Sequence, residues 1–351
     1  MQTRGLYVNR DAWVLAITEC KRQMLDSQVL ARRLLSGLEH LDLFGESSLN
    51  LNSPQEVNKA LLKAKEPEKA QEALGKYREA AKLVQTYGDN FIETIHPETW
   101  RIHAQFEPSG TSTGRVSCHS PNLQNLPSDK RFQACLVAPP GKKIVQADYS
   151  ACELRILADF SGEPVFLKAF EQDLDLHAQV AKELFGDVKF RPQAKAINFG
   201  IIYGMGAKSL ALSLSVSVYE AERLLNHYFQ KHVAIKRYLN SCVESAYALG
   251  YAQTRLGRRL YLDTKQDISR IAKNMPIQGT AAEICKLAMI RIHKRLSHEF
   301  QEAFLVNMIH DELVVECLEQ DVKAIGQVLC QEMELAQRKI TPKVKPKAEL
   351  T

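Results

Sequence analysis

In the run Arg191-Pro-Gln-Ala-Lys195-Ala-Ile-Asn-Phe199-Gly-Ile-Ile-Tyr203-Gly204, the residues Arg191, Lys195, Phe199 and Tyr203 recur every fourth position. An α-helix collects them on one slowly drifting face. Pro192 suits the first turn of that helix, where no intrahelical donor is lost, and Gly204 marks its end or a bend. Two cations and two aromatic rings on one face suit a ligand with an anionic end and a flat end. A nucleoside triphosphate is the commonest such ligand, and the helix N-terminus adds its own attraction for phosphate. The same spacing also describes a solvated cationic face with aromatic residues turned to the core. The helix alone does not choose between the two.

Acidic motifs lie on both sides of it. Lys142-Lys-Ile-Val-Gln-Ala-Asp148 reads as a strand entering the core and ending in an acid, after which Tyr149-Ser-Ala-Cys-Glu153-Leu-Arg155 turns into helix. An acid at such a junction is often only an N-cap. Downstream, Phe304-Leu-Val-Asn-Met-Ile-His310-Asp311-Glu312-Leu-Val-Val-Glu316 sets two apolar, β-rich runs around three polar residues, a tight hairpin with acids at its tip. Acids so close to buried-type strands need cations or metals to offset their repulsion. Two carboxylates from separate strands suit a pair of divalent ions, magnesium above all, in phosphoryl transfer onto a hydroxyl. Such chemistry relies on positioning and charge neutralisation and needs no side-chain nucleophile.

A chain of 351 residues can bury a large core and form two or three subdomains. Its net charge of +5 permits a nucleic-acid partner without requiring one. The eight cysteines are scattered singly, with no CxxC pair and no Cys/His cluster at zinc spacing, as reduced thiols of an intracellular protein are. Met1 to Trp13 lacks the apolar stretch of a signal peptide, and no run of eighteen apolar residues occurs, so no membrane partner is expected. The expected location is the cytoplasm or nucleoid, or the host cytoplasm if the gene is viral.

The remaining stretches are coarser signals. Apolar spacing predicts helix from Asp11 to Leu43, from a Ser53 cap to about Lys65, and from Glu66 to Tyr87 with Pro67 in the first turn. Arg101 to Phe106 alternates like a strand, and the polar segment Ser109 to Pro127 is either an ordinary surface loop or a grip for a sugar-phosphate backbone. Asp175-Leu-His177 opens another helix; His177 is a core or capping histidine, or it joins Arg191 and Lys195 around phosphates. A long helix runs from about Lys231 to Leu249 and ends at Gly250, and Thr254 to Arg259 forms a turn between short strands. Arg270, Asn274 and Gln278 form a polar stripe on a helix that Pro276 should bend or start. That stripe is exposed surface or a minor-groove contact.

Taken in order, Asp148-Tyr-Ser-Ala-Cys-Glu153-Leu-Arg155, the Arg191-to-Gly204 run and His310-Asp311-Glu312 resemble the A, B and C motifs of family-A, polymerase I-like DNA polymerases. Thr111-Ser-Thr113-Gly-Arg115, Pro121-Asn-Leu-Gln-Asn125 and Asn274-(x)3-Gln278-Gly-Thr-Ala-Ala282 match as well, so the resemblance covers nearly the whole chain. It implies an α+β, right-hand polymerase fold with an antiparallel-sheet palm, helical fingers and a helical, shortened thumb. Residues 1–28 would be a palm-linked N-terminal segment, 29–95 the thumb, 96–160 palm, 161–255 fingers and 256–351 palm. The implied activity is template-directed addition of dNTPs to a primer 3′-OH, in DNA replication or repair.

By the same resemblance, Asp148 and Asp311 bind two Mg2+ ions, for which Mn2+ can substitute, with the Tyr149 carbonyl assisting and Glu312 nearby as a third catalytic acid. His177, Arg191 and Lys195 hold the triphosphate, Phe199 lies against sugar and base, and Tyr203 stacks by the templating position. Glu153 closes the pocket beneath the sugar 2′ carbon. Thr113, Arg115, Asn125, Arg270, Asn274, Gln278 and His310 contact primer-template DNA. Three departures stand out. Ala151-Cys152 replaces the family's usual Gln-Ile, the thumb segment from Leu62 to Lys76 is short, and the end Ala348-Glu-Leu-Thr351 lacks the usual Gly and Trp. Nothing precedes the thumb, so the expectation is no 3′–5′ exonuclease of its own, with room for a separate exonuclease or processivity protein as partner. Glu153 argues against a single-subunit RNA polymerase, since an acid beneath the sugar excludes a 2′-hydroxyl. Asp148, Asp311, Arg191 and Lys195 together argue against a DNA-binding protein that has lost activity.

Overall fold

The helical spacing from Asp11 becomes helix α1, Arg10–Leu35, in the computed structural model, which describes residues 1–35, 49–263 and 265–351. The expected continuation to Leu43 lies outside the described residues. Helix α2, Pro54–Lys63, starts where the Ser53 hydroxyl accepts from the Glu56 N–H at 3.4 Å, and α3, Pro67–Tyr87, starts with Pro67 in its first turn. These helices bury Ala31, Leu35, Val57, Ala60, Ala70 and Leu74 together. A second centre forms on Trp13, which is 0% exposed, stacks on Phe91 at 4.6 Å and meets Phe132 edge-on at 5.0 Å. Its indole N–H donates to the Tyr87 carbonyl at 3.0 Å, so the one polar atom of the ring is satisfied. The strand expected over Arg101–Phe106 breaks after Ile102. Arg101–Ile102 pairs with Leu6–Tyr7, and the His103 ring turns aside to the Gln2 carbonyl at 2.8 Å. All this belongs to one compact unit, residues 2–105 and 120–139.

The other unit comprises residues 106–119 and 140–351 with Met1. From Lys142 it runs through β1 (Lys142–Tyr149), α4 (Cys152–Ser161), α5 (Leu176–Phe185), α6 (Arg191–Ile202) and α7 (Val233–Leu249). It continues through α8 (Ile268–Glu299), β2 (Phe304–Ile309), β3 (Glu312–Leu318), α9 (Val322–Ile340) and β4 (Ala348–Leu350). The sheet has the order β4-β1-β3-β2, antiparallel at each step, so the fold is α+β. Along β1 the side chains alternate. Val145, Ala147 and Tyr149 are buried on one face, and Gln146 and Asp148 lie half-buried on the other. Helix α9 covers the buried face, where the Tyr149 hydroxyl donates to the Met333 carbonyl at 2.7 Å. Gly326 lets it come close, since a Cβ there would meet Leu350 Cδ1 at 2.9 Å.

The long helix expected from about Lys231 to Leu249 is α7, which starts at Val233, separated by His232 from the preceding helix Val218–Lys231, and ends as expected at Gly250 with φ +75°. Pro276 does not start α8, which begins under an Asp267 cap and continues through the proline to Glu299. Burial explains the tolerance, because Met275, Pro276 and Ile277 are all in the core and packing offsets the lost hydrogen bond.

Removing the central ring of the first unit tests this account of its packing. Trp13→Ala should cost about 3–5 kcal/mol in urea unfolding followed by circular dichroism. A loss under about 1 kcal/mol would mean that the ring stack is not its centre.

Candidate active site

The register of the sheet brings acids together. Asp148 on β1 lies directly opposite Glu312 on β3 and Glu349 on β4, and directly opposed residues share a face. The β2–β3 turn is His310-Asp311, with His310 in the left-handed region at φ 56°. It brings Asp311 back over the end of β1, where the Tyr149 N–H donates to the Asp311 carbonyl at 3.4 Å. Asp148 is therefore not the N-cap of α4; that position is Ala151, in the left-handed conformation. Burial, then the charges of Asp311 and Glu312, push the Asp148 carboxyl up to about 7, and its Oδ1 is buried with no hydrogen-bond partner. Burial raises the Asp311 carboxyl too, against the pull of His310 and Arg115. It also raises Glu312, whose Oε1 accepts from the Thr351 hydroxyl at 3.4 Å.

An orphaned carboxylate oxygen beside a second acid is the environment a hard divalent cation relieves. Among the described residues no group of three or more His, Cys, Asp or Glu forms a cage sufficient by itself. Magnesium held by one or two carboxylates together with substrate phosphates needs no such cage, so the donor set fits that mode.

The helix read first from the sequence is present as α6, and its two sides differ as the spacing requires. Ala194, Ile197, Asn198 and Ile201 are buried, whereas Arg191 and Lys195 are exposed and Phe199 and Tyr203 half-buried. Phe199 and Tyr203 stack at 6.3 Å, and the Lys195 ammonium lies 6.0 Å from the Phe199 ring centroid. The cationic stripe is thus open and backed by its own rings, not by the core. Arg191 is engaged: its Nε donates to Asp175 Oδ2 at 2.6 Å, while Asp175 Oδ1 caps α5 through the Ala178 N–H at 3.0 Å. His177, in the first turn of α5, packs on Phe199 at 5.8 Å, and its Nδ1 lies 3.0 Å from Asn198 Nδ2.

Between carboxylates and stripe sits Glu153, 8% exposed. Arg115 NH2 donates to its Oε1 at 2.5 Å and the Tyr203 hydroxyl donates to its Oε2 at 3.0 Å. Burial raises this carboxyl, with Arg115 and Tyr203 opposing. Arg115 arrives on a built segment: Thr111 Oγ1 donates to the Arg115 carbonyl at 3.1 Å, and a Cβ on Gly279 of α8 would meet the Thr113 carbonyl at 3.1 Å. Gly204, with φ +66°, ends α6 against α8, where a Cβ would meet Arg270 Cα at 3.0 Å. That approach joins Tyr203 and Thr113 to the Arg270, Asn274 and Gln278 stripe around a cleft of about 440 Å³. Asn125 belongs to the other unit, where its carbonyl accepts from the Tyr87 hydroxyl. Spacing does not mark Asp175 and Asn198 as partners of Arg191 and His177, although Asn198 stands out in the sequence as a polar residue on the apolar side of a helix.

The profile of DNA polymerase family A matches residues 38–350, and the chain belongs to that family. It is 36% identical over 281 residues to the thermostable DNA polymerase I of Thermus aquaticus, covering 75% of this chain and 34% of that protein. It is 39% identical over 267 residues to DNA polymerase I of Pseudomonas aeruginosa, covering 71% of this chain and 29% of that protein. The fold is similar to the POL domain of Pol1 from M. smegmatis in complex with DNA primer-template and dNTP, with a TM-score of 0.85 and 27% identity over 99% of this chain and 66% of that one. The chain spans about a third of the length of these two polymerase I relatives.

The acid cluster makes stability depend on pH. A carboxyl raised to about 7 in the folded chain contributes stability that is fully present below its unfolded value and lost as pH rises through about 7. With divalent ions chelated, Asp148→Asn should therefore unfold at higher temperature than wild type near pH 8. The gain should be about 1–2 kcal/mol after allowing for solvent screening, and should vanish near pH 4. A difference that does not change with pH would show that the cluster is not strained by its own charge.

Proposed function

We propose that this chain extends a primer 3′-OH along a DNA template with dNTPs, by metal-dependent phosphoryl transfer. The observation that carries the reading is the closeness of Asp311 to Asp148 at the end of β1, with one buried Asp148 carboxylate oxygen lacking any hydrogen-bond partner. Asp148, Asp311 and the Tyr149 carbonyl would hold two Mg2+ ions, or Mn2+ in their place, with Glu312 beside them. Bound there, the ions supply charge neutralisation for the attacking and leaving oxygens. The chain's own residues do the positioning. Arg191, Lys195 and His177 receive the triphosphate, and Arg191 exchanges Asp175 for it. Phe199 carries the sugar and base, and Tyr203 closes the templating side. Glu153, fixed by Arg115 and Tyr203, fills the space a 2′-hydroxyl would need. Thr113, Arg115, Arg270, Asn274, Gln278 and His310 face primer-template DNA, and Asn125 is read as a DNA contact of its own unit. In these terms β1 to β4 with α8 and α9 are palm, residues 161–255 fingers and 29–95 thumb. The primer-template and dNTP of the mycobacterial complex support the choice of ligands.

Primer extension with Mg2+ tests the reading directly. Asp148→Ala and Asp311→Ala should each lower nucleotide addition by about a thousandfold or more while primer-template binding changes little. Retention of more than a few per cent of wild-type turnover, a rough bound, would remove the metal assignment. Sugar choice is tested separately. Glu153→Ala should raise rNTP incorporation relative to dNTP by about tenfold or more, because it frees the volume beneath the sugar. An unchanged ratio would sink the steric role.

A further inference from the structure

We propose that Asn198 is a positioning residue that holds the His177 imidazole in the tautomer protonated on Nε2, so that His177 meets an incoming phosphate as a neutral hydrogen-bond donor. Asn198 is 0% exposed on the apolar side of α6, where a polar side chain is unfavourable unless paired. Its Nδ2 reaches across to α5 and lies 3.0 Å from His177 Nδ1, and its Oδ1 has no partner. An amide NH2 donates and never accepts, so contact through Nδ2 makes Nδ1 the acceptor and leaves the ring proton on Nε2. The reversed amide would bury an NH2 group with no acceptor, which is costlier than an unpaired carbonyl oxygen.

Charges around the ring agree. His177 faces Asp175 on its own helix and Arg191 and Lys195 on α6. Burial first, then the two cations, lower its affinity for a second proton, with Asp175 opposing. A neutral ring offering Nε2–H donates to phosphate without titrating in the neutral range, whereas the other neutral tautomer would present a lone pair to an anion. The role toward phosphate rests on the polymerase reading above. The tautomer does not.

Two-bond 1H–15N correlation spectra of the chain labelled at histidine nitrogen test the tautomer without reference to catalysis, with the His177 signals identified by their loss in His177→Gln. A protonated Nε2 and an acceptor-type Nδ1 near neutral pH are expected; the reverse pattern, or the averaged pattern of a free imidazole, overturns the proposal. Asn198→Asp replaces the donor by an acceptor and favours the proton on Nδ1. The KM for dNTP should then rise about tenfold near pH 8 and recover toward wild type near pH 6, where the new carboxylate helps the ring take a second proton, with kcat changed less than about twofold. An equal loss at both pH values, or a loss in kcat alone, also overturns it. A wild-type chain that extends no primer would instead remove the polymerase reading and leave the spectra to decide the tautomer.

Discussion

The register of β1 against β3 places Asp148 opposite Glu312 and beneath Asp311, a set of like charges that the fold must hold together against their repulsion. The restraint comes from the other face of the same strand. Val145, Ala147 and Tyr149 are buried, and the Tyr149 hydroxyl is tied to the Met333 carbonyl of α9. Because side chains alternate, a slip of one residue would turn Asp148 into the core and Tyr149 out of it. The apolar burial of one face thus fixes the position of the charge on the other.

Helix α6 uses the same division around a helical axis. Its apolar side is anchored, and the glycine at its end sits close against Arg270 of α8. On its open side Arg191 pairs with Asp175, and each member of that pair is nearly half exposed (48% and 43%). An ion pair so exposed is worth little, which makes it easy to exchange for a better anion. Glu153 is the opposite case. Buried and held by two donors from separate elements, it cannot move without giving up the hydrogen bonds from Arg115 and Tyr203.

Local pattern made much of this legible. The fourfold spacing of Arg191 to Tyr203, the acid ending β1 and the acids at a hairpin tip are short-range features, and each appears in the fold where its pattern places it. The α+β class was legible only through the family resemblance that these motifs carry, and the sheet bears it out. What stayed hidden is pairing across distance in the chain: Arg191 with Asp175 is 16 residues apart, His177 with Asn198 is 21, Arg115 with Glu153 is 38 and Tyr203 with Glu153 is 50. Periodicity names the face a residue occupies but not what that face meets. Pro276 does not start its helix for a related reason, since the cost of a proline within a helix is local and the packing that offsets it is not.

The cysteines acquire a meaning beside the acid cluster. Cys152 and Cys285 are buried near Asp311, and burial followed by that negative charge raises both thiols, Cys285 to about 12. At neutral pH such sulfur is almost wholly protonated, and a protonated thiol is a poor nucleophile and a poor ligand for soft metals. Burial first and the neighbouring carboxylate second thus keep the adjacent sulfur silent, so that the same dry pocket that leaves an acid oxygen without a partner also leaves its thiols unreactive.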